Sequence, residues 1–158
     1  MRRGERKAMD PDLGIMAGQT LFAIQRELFE TLAREGHPRL RPRHGAVLAY
    51  LDEEGSRATD LSQQSGQHKQ VIGTLVDELV ELGYVRREPD PQDRRAKLIV
   101  PTPLGLEEME RADAIVADIE RRHALAVGED VYAVFKQAFR QITRLQRARL
   151  AQPPTPAG

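Results

Sequence analysis

The sequence predicts a mainly α-helical fold with one small β-hairpin, and three observations carry that prediction. Apolar residues recur three and four positions apart over several long stretches, the spacing of helices that each bury one face. Helix-entry and helix-exit chemistry brackets those stretches, with Pro42 and Pro103 at starts and Gly55 and Gly83 at ends. One segment, Tyr84 to Lys97, breaks the pattern: YVRREPDPQDRRAK packs five cations around two prolines and reads as a basic hairpin.

Each element follows in order. Asp10 is placed to cap the first amides of a helix with Pro11 at its first position, and Leu13, Ala17, Leu21, Ile24, Leu28 and Leu32 form its stripe to about Glu35. Gly36, His37 and Pro38 end it. Pro42 opens a short second helix with Val47, Leu48 and Leu51 on its apolar side. ATDLSQQSG then gives a short helix running into a tight turn at Ser65 and Gly66. From Gln67 to Leu82, Val71, Ile72, Leu75, Val76, Leu79 and Leu82 make a clear amphipathic helix, with Gly83 as a left-handed terminator. Strands over 85–88 and 96–100 flank a projecting loop, because Pro89 and Pro91 have no amide to extend a ladder. Thr102 and Pro103 start a fifth helix bearing Leu104, Met109, Ala112, Ile115, Val116 and Ile119, and a sixth carries Val131, Phe135, Ala138, Phe139, Ile142 and Leu145. Residues 1–9 and 151–158 lack periodicity and are expected to be disordered around a single domain over 10–150.

Composition sets the limits on function. With 158 residues and 40% apolar content the chain can bury one real core. It has no cysteine, which excludes disulfides, thiolate metal sites and cysteine nucleophiles. No run approaches the roughly 18 apolar residues of a membrane span, and MRRGERKAMD is followed by no apolar h-region, so a cytoplasmic protein without a membrane partner is expected. Twenty-four basic and 24 acidic residues cancel, so any polyanion reading rests on where the charges lie. The four histidines, His37, His44, His68 and His123, have no metal-ligand spacing, and phosphate-loop, dinucleotide and nucleophile-elbow patterns are absent. No metal, cofactor or enzymatic activity is expected.

A short helix, a tight turn, an amphipathic helix and a basic hairpin, in that order, make a winged helix-turn-helix over about 41–101. The first two turns of the 67–82 helix show Gln67, His68, Lys69, Gln70, Gly73 and Thr74, while its acids Asp77, Glu78 and Glu81 lie later. Its amino-terminal end can therefore meet an anion with its own dipole. Glutamine and lysine can read base edges in a major groove, and a plain polar helix surface is the alternative. Gly73 admits two explanations, close approach of a DNA backbone or close helix packing. In the hairpin, Arg94 and Arg95 suit a narrow minor groove, while Arg86, Arg87 and Lys97 face phosphates or solvent. The terminal apolar stripes, over about 10–35 and 102–150, exceed what a winged module needs and predict a homodimer. Two-fold pairing sets the reading helices ~34 Å apart on a near-palindromic site in double-stranded DNA.

The run VIGTLVDELVELGYVRREPDPQDRRAKLIVPTPLG resembles the recognition helix, wing and following helix of the multiple antibiotic resistance regulator (MarR) family, most specifically over Leu61 to Gly105. The resemblance implies a homodimeric transcription regulator, usually a repressor, responsive to a small aromatic or phenolic effector. It also implies that Asp93 is a positioning residue paired with Arg95. Three positions depart from the family pattern: His68 stands where serine or threonine is common, Thr74 where arginine is common, and Glu78 where a basic residue is frequent. A winged-helix protein-interaction module and a DNA-binding regulator without an effector are the competing readings.

Overall fold

The computed structural model of the chain describes residues 1–151, so the tail expected to be disordered lies, apart from Ala151, outside the described residues. The chain divides into two compact units, Met1–Val116 and Ala117–Gly158. The first holds helices α1 (Arg3–Met9) and α2 (Leu13–Arg34), then a 3₁₀ turn (Pro42–His44) running into α3 (Gly45–Leu48). Strand β1 (Ser56–Arg57), helices α4 (Ala58–Ser65) and α5 (Lys69–Glu81), and strands β2 (Val85–Pro89) and β3 (Lys97–Pro101) follow. Helix α6 (Pro103–Val127) crosses the unit boundary, and α7 (Glu129–Ala151) lies in the second unit.

Helix α1 corrects the expectation of a disordered amino terminus. It buries nothing, so no apolar period marks it in the sequence. Local electrostatics hold it instead: the Arg2 amide donates to Glu5 Oε2 at 2.7 Å, and Lys7 pairs with Asp12. The cap of α2 is Asp12, which accepts the Ile15 amide at 3.0 Å, and not Asp10, which ends α1. Pro11 thus stands outside the helix.

Five of the apolar positions in the stripes form the centre of the first unit. Leu32 of α2, Val47 of α3, Leu61 of α4, and Ile72 and Leu79 of α5 are completely buried, each contributing about 1.5–3 kcal/mol by leaving water. Tyr84, Val85 and Ile99 close the core on the sheet side, with Met109, Ala112 and Ile115 of α6 against it.

The expected two-stranded hairpin is an antiparallel sheet of three strands, in the order β1-β3-β2. Two residues make β1, pairing Ser56 with Ile99 and Arg57 with Leu98. So short a strand has no period to read. Strand β2 is an edge, which lets Pro89 end it opposite Lys97 without costing a ladder bond.

In the second unit, Tyr132 donates to Glu120 Oε1 at 2.6 Å, and Lys136 pairs with the same oxygen. The Phe135 and Phe139 rings stack at 5.7 Å. Around them α7 leaves Val131, Val134, Phe135, Ile142 and Leu145 exposed. Among the described residues, no helix is long and apolar enough to cross a membrane.

Candidate nucleic-acid interface

The turn between α4 and α5 is built from its own side chains. Gly66 takes φ +74°, Ser62 Oγ donates to the Gln67 carbonyl at 2.6 Å, and Ser65 Oγ accepts the Gln67 amide at 3.1 Å. His68 is the N-cap of α5, its Nδ1 accepting the Gln70 amide at 3.4 Å. An imidazole thus fills the capping role that a serine or threonine hydroxyl commonly takes.

With Ile72, Leu75, Val76 and Leu79 buried, α5 can turn only one way. Gln67, His68, Lys69, Gln70 and Thr74 are exposed together, with no acid in the first turn. Thr74 Oγ1 donates back to the Gln70 carbonyl at 3.2 Å. A β-carbon built on Gly73 would meet nothing within 4 Å, which removes helix packing as the reason for a mid-helix glycine.

Two of the acids on the later half of α5 are neutralised. Asp77 accepts Arg87 Nη2 at 2.6 Å. Glu78 Oε2 takes Arg43 Nε at 3.0 Å and His44 Nε2 at 2.8 Å, and these bonds, His44 first, hold its carboxyl below the usual range. His44 is buried, and its Nδ1 accepts the Arg41 amide at 2.9 Å, so the ring is the neutral tautomer donating from Nε2. Burial above all pushes its pKa down, which keeps the ring neutral.

On the wing, Arg94, Arg95 and Lys97 are exposed and hold no ion pair among the described residues. Arg86 and Arg87, expected to face phosphates or solvent, are exposed and also ion-paired, Arg86 with Glu88 and Arg87 with Asp77, both at 2.6 Å. Asp93 meets Arg95 through the backbone: its Oδ1 accepts the Arg95 amide at 3.1 Å and so shapes the turn. The buried carboxylate at the wing base is Asp90, which sequence reasoning missed. It accepts Arg57 Nε at 2.7 Å and the Gln92 amide at 2.8 Å. Those bonds, the Gln92 amide first, hold its carboxyl below its usual range. No sequence signal links residues 33 positions apart.

The stem of the wing is fastened to the start of α6. Thr102 Oγ1 donates to the Gly83 carbonyl at 2.5 Å and the Thr102 amide to the Tyr84 carbonyl at 3.0 Å. A β-carbon at position 105 would fall 2.1 Å from the Tyr84 oxygen, so only glycine fits there. Among the described residues no three metal-ligating side chains converge.

A turn-linked helix pair whose second member leads with exposed polar residues, backed by a three-stranded wing, defines a winged helix-turn-helix protein. The profile described as the MarR family matches residues 40–96 of the chain. The uncharacterized HTH-type transcriptional regulator YcgE of Bacillus subtilis (strain 168) is 44% identical over 52 residues, covering 32% of this chain and 34% of the relative. The chain thus matches about a third of that relative's length. The structure of CouR from Rhodococcus jostii RHA1 bound to p-coumaroyl-CoA is similar at TM-score 0.68 and 28% identity, covering 83% of this chain and 91% of that one. A MarR-family regulator from Rhodococcus sp. RHA1 matches at TM-score 0.67, 28% identity and the same coverage. The repressor CouR bound to a 23-mer DNA duplex shares the fold at TM-score 0.70 and 22% identity, covering 87% of this chain and 96% of that one.

Proposed function

We propose that the protein is a cytoplasmic, dimeric transcriptional regulator that binds a near-palindromic operator and represses until an aromatic effector releases it. The observation that carries this reading is the pairing of an acid-free, exposed start of α5 with the unpaired Arg94 and Arg95 of the wing. The α5 end presents backbone amides and Lys69 to an anionic groove, and the wing arginines suit an adjacent minor groove. A CouR structure on a DNA duplex supports the same use of the fold.

Dimerisation is supported by apolar faces left bare in each unit: Leu21 and Phe22 on α2, and Val131, Phe135 and Leu145 on α7. In this reading residues 10–150 act as one domain, with the segments 10–35 and 102–150 dimerising and 41–101 reading DNA. A second copy of the chain covers those faces and fixes the spacing of the two reading heads.

The effector reading is supported by a cleft of about 320 Å³ between α2 and the 3₁₀ turn, lined by Phe22, Phe29, Leu40 and Pro42 with Arg26 and Arg41. It is larger than one aromatic ring, and the first-named CouR structure holds p-coumaroyl-CoA. An effector that prefers the conformation with misplaced heads withdraws protein from DNA by differential affinity.

Mobility shift on the region upstream of the protein's own coding sequence tests the reading. Arg94→Ala with Arg95→Ala is expected to weaken binding about tenfold or more and to lower its salt dependence. Equal affinity of wild type and double mutant rejects a gripping wing, and binding insensitive to salt favours the protein-interaction reading instead.

A further inference from the structure

We infer that Arg57 is a positioning residue for the wing, acting through Asp90, and that this pair sets where Arg94 and Arg95 stand. The inference rests on the DNA-binding reading above.

Three observations converge on it. Arg57 is the N-cap of α4, yet its side chain caps nothing there, in a position where a short polar side chain would serve the helix better. Its guanidinium instead reaches the wing base, placing Nε and Nη2 on Asp90 Oδ2 at 2.7 and 2.5 Å. Asp90 is only 5% exposed, so its charge needs that cation, and leaving it unpaired costs far more than losing a surface pair.

The second oxygen of Asp90 connects the pair to the loop. Asp90 Oδ1 accepts the Gln92 amide at 2.8 Å, the Asp90 carbonyl accepts the Asp93 amide at 3.3 Å, and the Asp90 amide donates to the Ala96 carbonyl at 3.0 Å. The Asp93 carbonyl in turn accepts the Ala96 amide at 2.9 Å. The loop is thus closed on one buried carboxylate, itself locked by a residue on the strand at the opposite edge of the sheet. Arg94 and Arg95 sit at the tip of this closed turn with no side-chain partner of their own among the described residues. Their reach is therefore fixed from below, by Arg57 and Asp90, and not by the family-type pairing of Asp93 with Arg95. Burial of the carboxylate and exposure of the two arginines are the two ends of one lever.

The test compares full-length wild type, Arg57→Gln, Arg57→Lys, Asp90→Asn and Arg94→Ala/Arg95→Ala by fluorescence anisotropy across a salt series. The probe is a labelled duplex from upstream of the protein's own coding sequence. Arg57→Gln and Asp90→Asn are expected to lose about tenfold in affinity and to flatten the salt slope by about one to two phosphate contacts, as the double alanine variant does. Arg57→Lys should restore part of both. Adding Arg57→Gln to the double alanine variant should cost nothing more, because the lever no longer carries a load. Hydrogen exchange at the Gln92 and Arg95 amides, which needs no DNA, should quicken in Arg57→Gln while the α5 amides stay protected. Wild-type slope and affinity in Arg57→Gln, or a full additive loss on the double alanine background, overturns the inference. Absence of wild-type DNA binding instead sinks the DNA-binding reading and the functional role of Arg57 with it, while unchanged exchange at Gln92 and Arg95 rejects the lever on its own.

Discussion

At Glu108 the protein keeps a carboxyl group only 2% exposed, with Oε2 unpartnered inside. Burial first, and then the Asp113 carboxylate, pushes its pKa up to about 7 from 4.5. The folded chain therefore holds this proton more tightly than the unfolded chain does. Stability linked to it is complete below about pH 4.5 and is lost as pH rises through 7, an effect of roughly 3 kcal/mol. Glu78, Asp90 and Glu120 have the opposite sign, because partners hold their carboxyls down and their contribution fades only in more acidic solution. Urea midpoints from pH 5 to pH 8 should fall for wild type and stay level for Glu108→Gln, with the variant the more stable above pH 7. Parallel profiles would show that Glu108 is ionised throughout. Positions of this kind were the least legible in the sequence. Glu108 lies on a charged turn of α6, and Arg57 and Asp90 are separated by 33 positions, so only packing against other elements gives them their roles.

Helix α5 was the most legible element, since a 13-residue helix with four buried apolar residues announces itself by period. Its glycine is a further matter of helix physics. Alanine at Gly73 meets no atom of the protein and removes the backbone entropy cost of glycine, so Gly73→Ala should raise stability by about 1 kcal/mol. DNA affinity should move the other way, by about tenfold, if a phosphate backbone occupies that open space. Thermal melts paired with anisotropy check both, and a variant that is more stable and binds as well would mean the groove floor lies elsewhere. The elements that went unread, α1 and β1, share a cause. One buries no side chain and the other is two residues long, so neither leaves an apolar rhythm. Other elements differ at their edges from the sequence reading, among them α2, capped by Asp12 and not Asp10, α3, which ends at Leu48, and β2, which Pro89 closes on a free edge.

At the scale of the whole molecule, the exposed apolar faces of α2 and α7 ask to be covered. Phe135 is 56% exposed and stacks on Phe139, so Phe135→Asp removes apolar contact area while leaving the buried centre of the first unit untouched. Sedimentation equilibrium should find wild type at twice the monomer mass, and Phe135→Asp shifted toward monomer. DNA affinity should drop by at least about a hundredfold, since two heads bound together exceed one by the effective concentration of the second. A variant that stays dimeric would move the interface away from this face.

Apolar period and turn chemistry, read along the chain, settle the helices from α2 onward, the tight turn, the hairpin and hence the winged architecture, because these depend on neighbours within a few positions. The side-chain pairings answer to a different physics. Whether Arg87 is a bare cation or the partner of Asp77, whether Asp93 or Asp90 anchors the wing, and which nitrogen of His44 carries its proton are decided by charges and donors brought together from distant segments. Where such a group is buried, as Asp90 and His44 are, it must find a partner or change its protonation, and only the folded chain determines which partner is within reach.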